Sequence, residues 1–180
     1  MHALPRVASL LLLVLFTAAP ARADVVDAGP AGFTIRTSSD LAAIPKAAYV
    51  AFIVWVGSWW DAAQTVSGES RNLSIDARVG GCFCERLPNG GSVQHMTIVL
   101  LQPERTIRMV GAIGPLQELA AIGTMTWSFT PTSSATRVEM TYAVAGYAKE
   151  GLVPVARSID AALTEQVRRF KRFVEVGMPR

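Results

Sequence analysis

The sequence has few residues of the types that usually bind metals or act as nucleophiles. Among 180 residues it contains two cysteines, Cys82 and Cys84, and two histidines, His2 and His95. Structural zinc sites usually take cysteines at C-x2-4-C spacing, whereas only one residue separates this pair. A GxxxxGK(S/T) phosphate-binding loop is also absent from the sequence. We therefore expect no metal site, no ATP hydrolysis and no cofactor.

The sequence also has no apolar run of about 20 residues, which is the length that a membrane-spanning helix needs. The run from Val7 to Phe16 is shorter; it follows Arg6 and precedes the small residues of Ala21-Arg22-Ala23. This is the pattern of a secretory signal peptide. We expect residues 1–23 to be removed and residues 24–180 to form one domain. The mature protein would then be exported, to the periplasm or outside the cell, without stable membrane insertion.

Neither basic nor acidic residues are in clear excess in this sequence. The sequence has 17 basic and 14 acidic residues, and loss of Arg6 and Arg22 with the signal peptide would bring the two signs close to balance. A nucleic-acid-binding surface needs a clear basic excess. The basic residues near the C-terminus have Glu165 and Glu175 beside them, which is typical of a solvated helix face. We therefore expect no nucleic-acid partner, and the sequence leaves the oligomeric state open.

Apolar and β-branched residues, by contrast, are abundant, and over much of the chain they alternate with polar ones as in half-buried strands. Pro45 opens a short apolar stretch that predicts a helix from Ala47 to Trp55, and a further helical turn is expected around Trp59 and Trp60. About seven strands are expected, at 32–39, 73–79, 83–87, 93–101, 106–111, 123–130 and 136–145.

The last segment of the chain has a different period. Apolar residues recur at steps of three and four from Leu152 to Val174, which predicts a long helix with one apolar face. A two-stranded hairpin could not cover that face, but a curved antiparallel sheet could. The predicted fold class is therefore α+β: a helix-grip fold, in which a curved antiparallel sheet wraps the long C-terminal helix and leaves an internal cavity.

Several short motifs follow one another from about Phe33 to Phe173. They are Trp59-Trp60, Ser67-Gly68, GGCFCE at 80–85, VQHMTIVLLQP at 93–103, GAIGPLQ at 111–117, GTMTWSF at 123–129, Thr136-Arg137, GY at 146–147 and DAALTEQ at 160–166. In order and spacing, the chain resembles the polyketide cyclase and Hsp90-ATPase-activator-like branch of the SRPBCC superfamily, also called START-like or birch-pollen-allergen-like. The resemblance implies the helix-grip fold but no single function, because that fold hosts carriers, sensors, cyclases and co-chaperones. At one position the chain departs from its relatives, which carry a histidine where this sequence has Gln64.

His95 is the one histidine that would remain after signal cleavage. A two-residue turn at Asn89-Gly90 would place it opposite Cys84 in a hairpin, and a three-residue loop at 89–91 would place it opposite Glu85. Cross-strand partners lie about 5 Å apart at Cβ, close enough for a hydrogen bond. His95 and Glu85 are therefore the candidate catalytic acid and base. The alternative is a polar cluster that braces the hairpin or lines the cavity.

The two cysteines are expected on one face of a strand, roughly 6.5 Å apart along the chain. A relaxed disulfide needs Cβ atoms about 3.8 Å apart, so we expect buried free thiols. A bridge that distorts the strand and metal ligation are the alternatives. A nucleophilic Cys84 paired with His95 is not expected, because no oxyanion hole is evident beside it.

Ligand-binding residues are expected where side chains of the sheet and helices line the cavity. Alternation lets Trp127 and Phe129 share one face of a strand, and likewise Met140 and Tyr142. The predicted ligand-binding set is Trp60, Gln64, Cys84, Glu85, His95, Trp127, Phe129, Met140 and Tyr142. The predicted function is binding of a hydrophobic or aromatic small molecule by an exported protein. The alternatives are a cyclase- or dehydratase-type enzyme that uses His95 and Glu85, and a protein-interaction module.

Overall fold

The computed structural model describes residues 24–133 and 135–177, so the predicted signal peptide, residues 1–23, lies outside the described residues. The strands are β1 (Asp24–Gly29), β2 (Gly32–Leu41), β3 (Leu73–Ile75), β4 (Cys82–Arg86), β5 (Ser92–Gln102), β6 (Thr106–Gly111), β7 (Ala120–Pro131) and β8 (Thr136–Tyr147). The helices are α1 (Pro45–Val54), α2 (Val56–Trp59) and α3 (Val153–Val176). None of these helices is both long enough and apolar enough to cross a membrane.

The eight strands form one curved, unclosed antiparallel sheet. Their order is β1-β2-β8-β7-β6-β5-β4-β3, so the last strand lies beside the second and the other neighbours are consecutive in sequence. The long helix α3 packs against β2 and β1 and also contacts α1 and α2. The predicted α+β helix-grip class is therefore confirmed.

The sheet has one strand more than expected, because β1 was not predicted. This strand pairs with β2 from Asp24 opposite Arg36 to Gly29 opposite Gly32, and its sequence DVVDAG alternates too weakly to stand out. The strand expected at 73–79 ends at Ile75. The residues that follow form a turn, in which Arg78 N donates to the carbonyl of Asp76.

The helix α3 follows from its own sequence. Pro154 stands in its first turn, where the missing N–H breaks no helical hydrogen bond. Gly177 ends it with a φ of 96°, in the left-handed region that favours glycine. Its buried residues are Ala156, Ile159, Leu163, Gln166, Val167 and Phe170. The expected amphipathic helix is thus present, with one polar residue inside its buried face.

Aromatic side chains fill the space between the three helices and β7. Phe52, Trp59, Trp127 and Phe170 are buried together, and their ring centroids lie 4.8 to 6.0 Å apart where they touch. Phe129 packs on Phe52 at 5.8 Å. This part of the helix–sheet interface, the aromatic core, is therefore closed.

The expectation of free thiols is wrong, because Cys82 and Cys84 form a disulfide. Their Cα atoms lie 5.4 Å apart, which is shorter than the roughly 6.5 Å that two residues span in an extended strand. The flanking Phe83 and Glu85 are buried, whereas both cysteines are half-buried. The bridge therefore lies on the outer face of β4, opposite to the face on which Glu85 is buried.

Candidate functional site

A buried polar cluster joins β4, β5 and the loop between β6 and β7. The Nε2 atom of His95 lies 2.9 Å from Oε2 of Glu85, and its Nδ1 atom lies 3.0 Å from Nε2 of Gln117. Glu85 is fully buried and His95 is 5% exposed. The structure thus brings the predicted pair together and adds Gln117 as a third member, which the prediction missed.

Neither predicted hairpin register holds along the whole hairpin, because β5 contains a β-bulge. The register of the two-residue turn is found beyond the bulge, where Cys82 pairs with Thr97 and Phe83 with Met96, but not between the bulge and the turn. Cys84 pairs with Gln94, whereas the neighbouring Phe83 pairs with Met96. His95, between these two partners, is the extra residue. Both His95 and Met96 are buried, which strict alternation along a half-buried strand would not allow. The bulge therefore directs the imidazole to the inner face, where it reaches the carboxylate of the cluster.

The loop of the hairpin is one residue away from its expected position. It consists of Pro88–Gly90 and is closed by Leu87 N, which donates to the carbonyl of Gly91 at 2.7 Å. Asn89 and Gly90 have φ angles of 60° and 82°, a region that glycine and asparagine tolerate best. The Asn-Gly signal therefore marks the turn correctly but does not determine its first residue.

The neighbouring strand β6 approaches the bulge very closely. A Cβ atom at Gly111 would lie 2.2 Å from the carbonyl oxygen of His95, so only glycine fits there. The next residue, Ala112, donates its N–H to that same oxygen at 3.1 Å. The bulge is thus held from both sides, by β4 and by the end of β6.

The carboxylate of Glu85 accepts three hydrogen bonds. The donors are the backbone N–H of Val66, at 3.0 Å, the backbone N–H of Ser67, and the imidazole of His95. Burial by itself raises the pKa of the Glu85 carboxyl, but the hydrogen bonds from Ser67, Val66 and His95 together outweigh burial and hold this pKa below its usual value. Glu85 is therefore ionised at neutral pH.

The neighbours of His95 decide which nitrogen carries its proton. Nε2 of Gln117 donates to the carbonyl of Ala112 at 3.1 Å, which determines how the amide is oriented. The same Nε2 faces Nδ1 of His95, so Nδ1 is the acceptor. The imidazole Nε2 then carries the proton and donates to Glu85. His95 is neutral in this arrangement, and neither ring nitrogen is free for acid–base chemistry.

The polar cluster ties two loops to the β4–β5 hairpin. Glu85 holds the loop after α2 through its two backbone hydrogen bonds, and Gln117 holds the loop between β6 and β7. The ring of Phe83 lies 5.2 Å from the rings of both Trp60 and His95. These contacts give the two loops fixed positions relative to the sheet.

A small cavity lies between these two loops and α3. Its volume is ≈ 20 Å³, which is room for about one water molecule. The residues that line it are Trp60, Gln64, Ile113, Gly114, Ile159, Ala162, Leu163 and Gln166. Most of this wall is apolar, and two members of the predicted ligand-binding set, Trp60 and Gln64, belong to it.

A larger groove of ≈ 650 Å³ lies on the outer side of the sheet, along β1, β2, β8 and β7. Among the residues that line it, Asp27 alone has a titratable side chain. The helix α3 and the buried carboxylate of Glu85 lie on the other face. We therefore place the candidate site at the inner cavity.

Gln166 is the buried polar residue of the cavity wall that the prediction missed. It lies on α3, three residues after Leu163 and four before Phe170, and is 1% exposed. Its Oε1 accepts a hydrogen bond from the backbone N–H of Asp61 at 2.9 Å. The signal in the sequence is a polar residue at a position that belongs to the apolar stripe of an amphipathic helix.

The predicted strand residues lie in the packed interior. Trp127, Phe129 and Met140 are buried in the core and do not line the inner cavity. Tyr142 is also fully buried, and its hydroxyl donates to the carbonyl of Gly111 at 3.1 Å. Burial raises the pKa of Tyr142, so it stays protonated. In this closed arrangement the four side chains belong to the core.

The polar cluster offers little to a metal ion. Within residues 24–133 and 135–177, no group of three or more His, Cys, Asp or Glu side chains is placed to hold one. Glu85 and His95 use their polar atoms on each other and on the two loops.

A curved antiparallel sheet with a long C-terminal helix on its inner face and a small cavity beside that helix defines a helix-grip-like α+β protein. No protein-family model and no curated protein matches the chain. Solved structures do match its fold. A conserved protein of unknown function from Enterococcus faecalis is similar with a TM-score of 0.58 at 14% identity, over 83% of this chain and 75% of that one.

Two further solved structures have similar scores. A protein from Chromobacterium violaceum matches with a TM-score of 0.56 at 19% identity, over 79% of this chain and 96% of its own. DynU16, a protein of the dynemicin biosynthetic locus, matches with a TM-score of 0.56 at 14% identity, over 81% of this chain. The match spans 48% of DynU16. At these identities the similarity shows the fold alone.

Proposed function

We propose that the chain is an exported member of the SRPBCC superfamily that binds a hydrophobic or aromatic small molecule between α3 and the sheet. The observation that carries the proposal is the inner cavity, with apolar walls from Trp60, Ile113 and Leu163 and a buried amide from Gln166. Mostly apolar walls with a few fixed polar groups are typical of small-molecule sites. The motifs and the fold support membership of the superfamily, and the signal-peptide pattern supports export.

A ligand larger than one water molecule must widen the cavity, and the loop between β6 and β7 is the wall best suited to yield. Gly114 and Pro115 are both exposed, so little protein lies behind the wall at that point. Burial of apolar ligand surface contributes roughly 25 cal/mol per Å², and this gain has to exceed the cost of moving the loop. The hydrogen bonds of Gln117 limit how far the loop can move.

Binding is preferred to the enzymatic alternative because of the state of the polar cluster. Both nitrogens of His95 are engaged, one by Glu85 and one by Gln117. A general base needs a free nitrogen within hydrogen-bond reach of the substrate proton. We therefore assign His95 and Glu85 a positioning role, in which they hold the two loops that frame the cavity.

The test uses the full chain, exported and processed by a bacterial host. Native mass spectrometry and organic extraction would detect a co-purifying small molecule, and NMR titration with 1-indanone, a small rigid aromatic ketone, would measure binding. Ala162→Trp fills the cavity. Ala161→Trp is the matched control, because Ala161 is the exposed neighbour on the same helix and does not line the cavity.

We expect the wild type and Ala161→Trp to bind 1-indanone, and Ala162→Trp to lose binding while it stays folded. Equal binding by the two variants would place the ligand elsewhere and contradict the proposal. So would a wild-type protein that carries no small molecule after export and binds neither 1-indanone nor the hydrocarbon indane.

A further inference from the structure

We infer that the side-chain amide of Gln166 selects neutral ligands that present a carbonyl oxygen on an apolar body, such as a ketone, an ester or an amide. The inference rests on the proposed binding function and names the ligand class for the same cavity. It depends on the hydrogen bonds that Gln166 makes and on those that it leaves unmade.

Gln166 stands where an apolar residue would be expected. It is the only polar residue among those that α3 buries, and an apolar side chain of similar size there would avoid the cost of burying an amide. A buried amide group is costly chiefly when one of its donors or acceptors has no partner. The presence of an amide at this position therefore indicates what kind of group a ligand in the cavity presents to it.

One half of the amide has a structural role. Oε1 of Gln166 accepts from the backbone N–H of Asp61, and this contact joins α3 to the loop after α2. It also determines the orientation of the amide, because an NH2 group turned toward that N–H would oppose two donors. The NH2 group consequently points away from Asp61.

The other half of the amide has no partner among residues 24–133 and 135–177. Nε2 of Gln166 is buried and makes no hydrogen bond to any of the described residues. Gln166 lines the inner cavity, so an acceptor bound in the cavity could satisfy its N–H bonds. A water molecule fits the volume of ≈ 20 Å³ in the closed state, and a ligand oxygen would take the place of that water on binding.

The wall of the cavity also indicates the charge of the ligand. Its other members are apolar except for Gln64, whose side chain is exposed. No lysine, arginine or histidine belongs to the wall, so an anion would be buried without a counter-charge. A neutral carbonyl oxygen accepts from the amide without that cost.

The test compares two probes that differ only at the acceptor. 1-Indanone carries a ketone, whereas indane has the same fused rings with a methylene in its place. Their dissociation constants would be measured by NMR titration for the wild type, for Gln166→Met and for Gln64→Met. The Met variants keep side-chain length and remove the amide, and Gln64→Met is the matched control because Gln64 also lines the cavity.

We expect the preference for 1-indanone over indane to fall about tenfold in Gln166→Met and to be unchanged in Gln64→Met, since one buried hydrogen bond is lost in the first variant only. The difference in hydration between the two probes cancels in this comparison. In the wild type, 1-indanone should shift the side-chain amide resonance of Gln166. That resonance is assigned by its absence from the spectrum of Gln166→Met. Indane brings no acceptor to that NH2 group, so the amide resonance should lie at lower frequency in the indane complex than in the 1-indanone complex.

Two results would overturn the inference and leave the binding function standing. In one, the wild type and Gln166→Met bind both probes with the same preference. In the other, Gln64→Met alone loses the preference, which would assign the donor to Gln64. Failure of the wild type to bind either probe would overturn the proposed function and this inference with it.

Discussion

The two ends of the helix–sheet interface are built on opposite principles. At one end, the aromatic core packs Phe52, Trp59, Trp127 and Phe170 against one another without a cavity. At the other, Glu85, His95 and Gln117 form a polar cluster beside a small cavity. The apolar end gains stability from contact area alone, whereas the polar end depends on each hydrogen bond being made. The difference separates the part that holds the fold from the part in which we propose that a ligand binds.

The largest loss of stability is expected when a ring of the aromatic core is removed. Trp127→Ala should lower the free energy of unfolding by about 4 kcal/mol, because it leaves a large void among rings that cannot collapse into it. Trp55→Ala is the matched control, since Trp55 is 53% exposed and its loss should cost about 0.5 kcal/mol. Urea unfolding followed by circular dichroism measures both. Similar losses in the two variants would mean that the core is not packed as described.

The next largest loss of stability is expected when Glu85, the centre of the polar cluster, is removed. Glu85→Ala should lower the free energy of unfolding by about 3 kcal/mol, since it leaves the buried imidazole of His95 and the part-buried N–H groups of Val66 and Ser67 without their acceptor. Glu118→Ala, at an exposed position near the cluster, should change it by less than about 0.5 kcal/mol. Hydrogen exchange should also rise at Val66 and Ser67. Unchanged exchange there would contradict the role of Glu85 in holding the loop.

A smaller effect is expected from the disulfide on the outer face of the same hairpin. Reduction of the Cys82–Cys84 bond should cost about 1.5 kcal/mol, because the bond closes a loop of only three residues and short loops give little entropic stabilisation. Urea unfolding with and without a phosphine reductant measures it, and the double variant Cys82→Ser, Cys84→Ser should not respond to the reductant. A loss as large as that of Trp127→Ala would show that the bridge, rather than strand pairing, maintains the bulge at His95.

The smallest effect is expected in acid. The pKa of the Glu85 carboxyl is lower in the folded state than in the unfolded chain, so its contribution to stability is complete above the unfolded pKa of about 4.3. That contribution is lost as the pH falls through the folded-state pKa. Burial partly cancels the hydrogen bonds, which limits the effect. The unfolding free energy of the wild type should therefore fall more steeply below about pH 4 than that of Glu85→Gln, and equal slopes would contradict the lowered pKa.

The sequence predicted most of the fold because periodicity is a local property. The buried stripe from Ile159 to Phe170 on α3 and the alternation along β7 are visible without knowledge of any partner. The strand β1 was missed because its apolar residues form no alternating pattern.

The candidate site was predicted in part. The contact between His95 and Glu85 was expected, and it forms, yet it forms through a bulge that neither predicted register contained. A bulge depends on how two strands and their neighbours fit, as the close approach of Gly111 to His95 shows, and not on the sequence of the hairpin alone. The same reason explains why Gln117 was not foreseen, since its partner lies 22 residues away.

By itself, the sequence determined that a curved sheet and a long helix would pack together, because side-chain periods of two and of about 3.6 fix which faces must be buried. Only the tertiary structure decided which buried groups would be satisfied. Trp127 and Phe129 became core instead of cavity lining, and His95 became a neutral link between two loops. Gln166 kept an amide donor without a partner in the part of the chain that the structure describes. Hydrogen-bond partners are chosen by distance and direction in space, and the cavity therefore appears only when the loops meet α3.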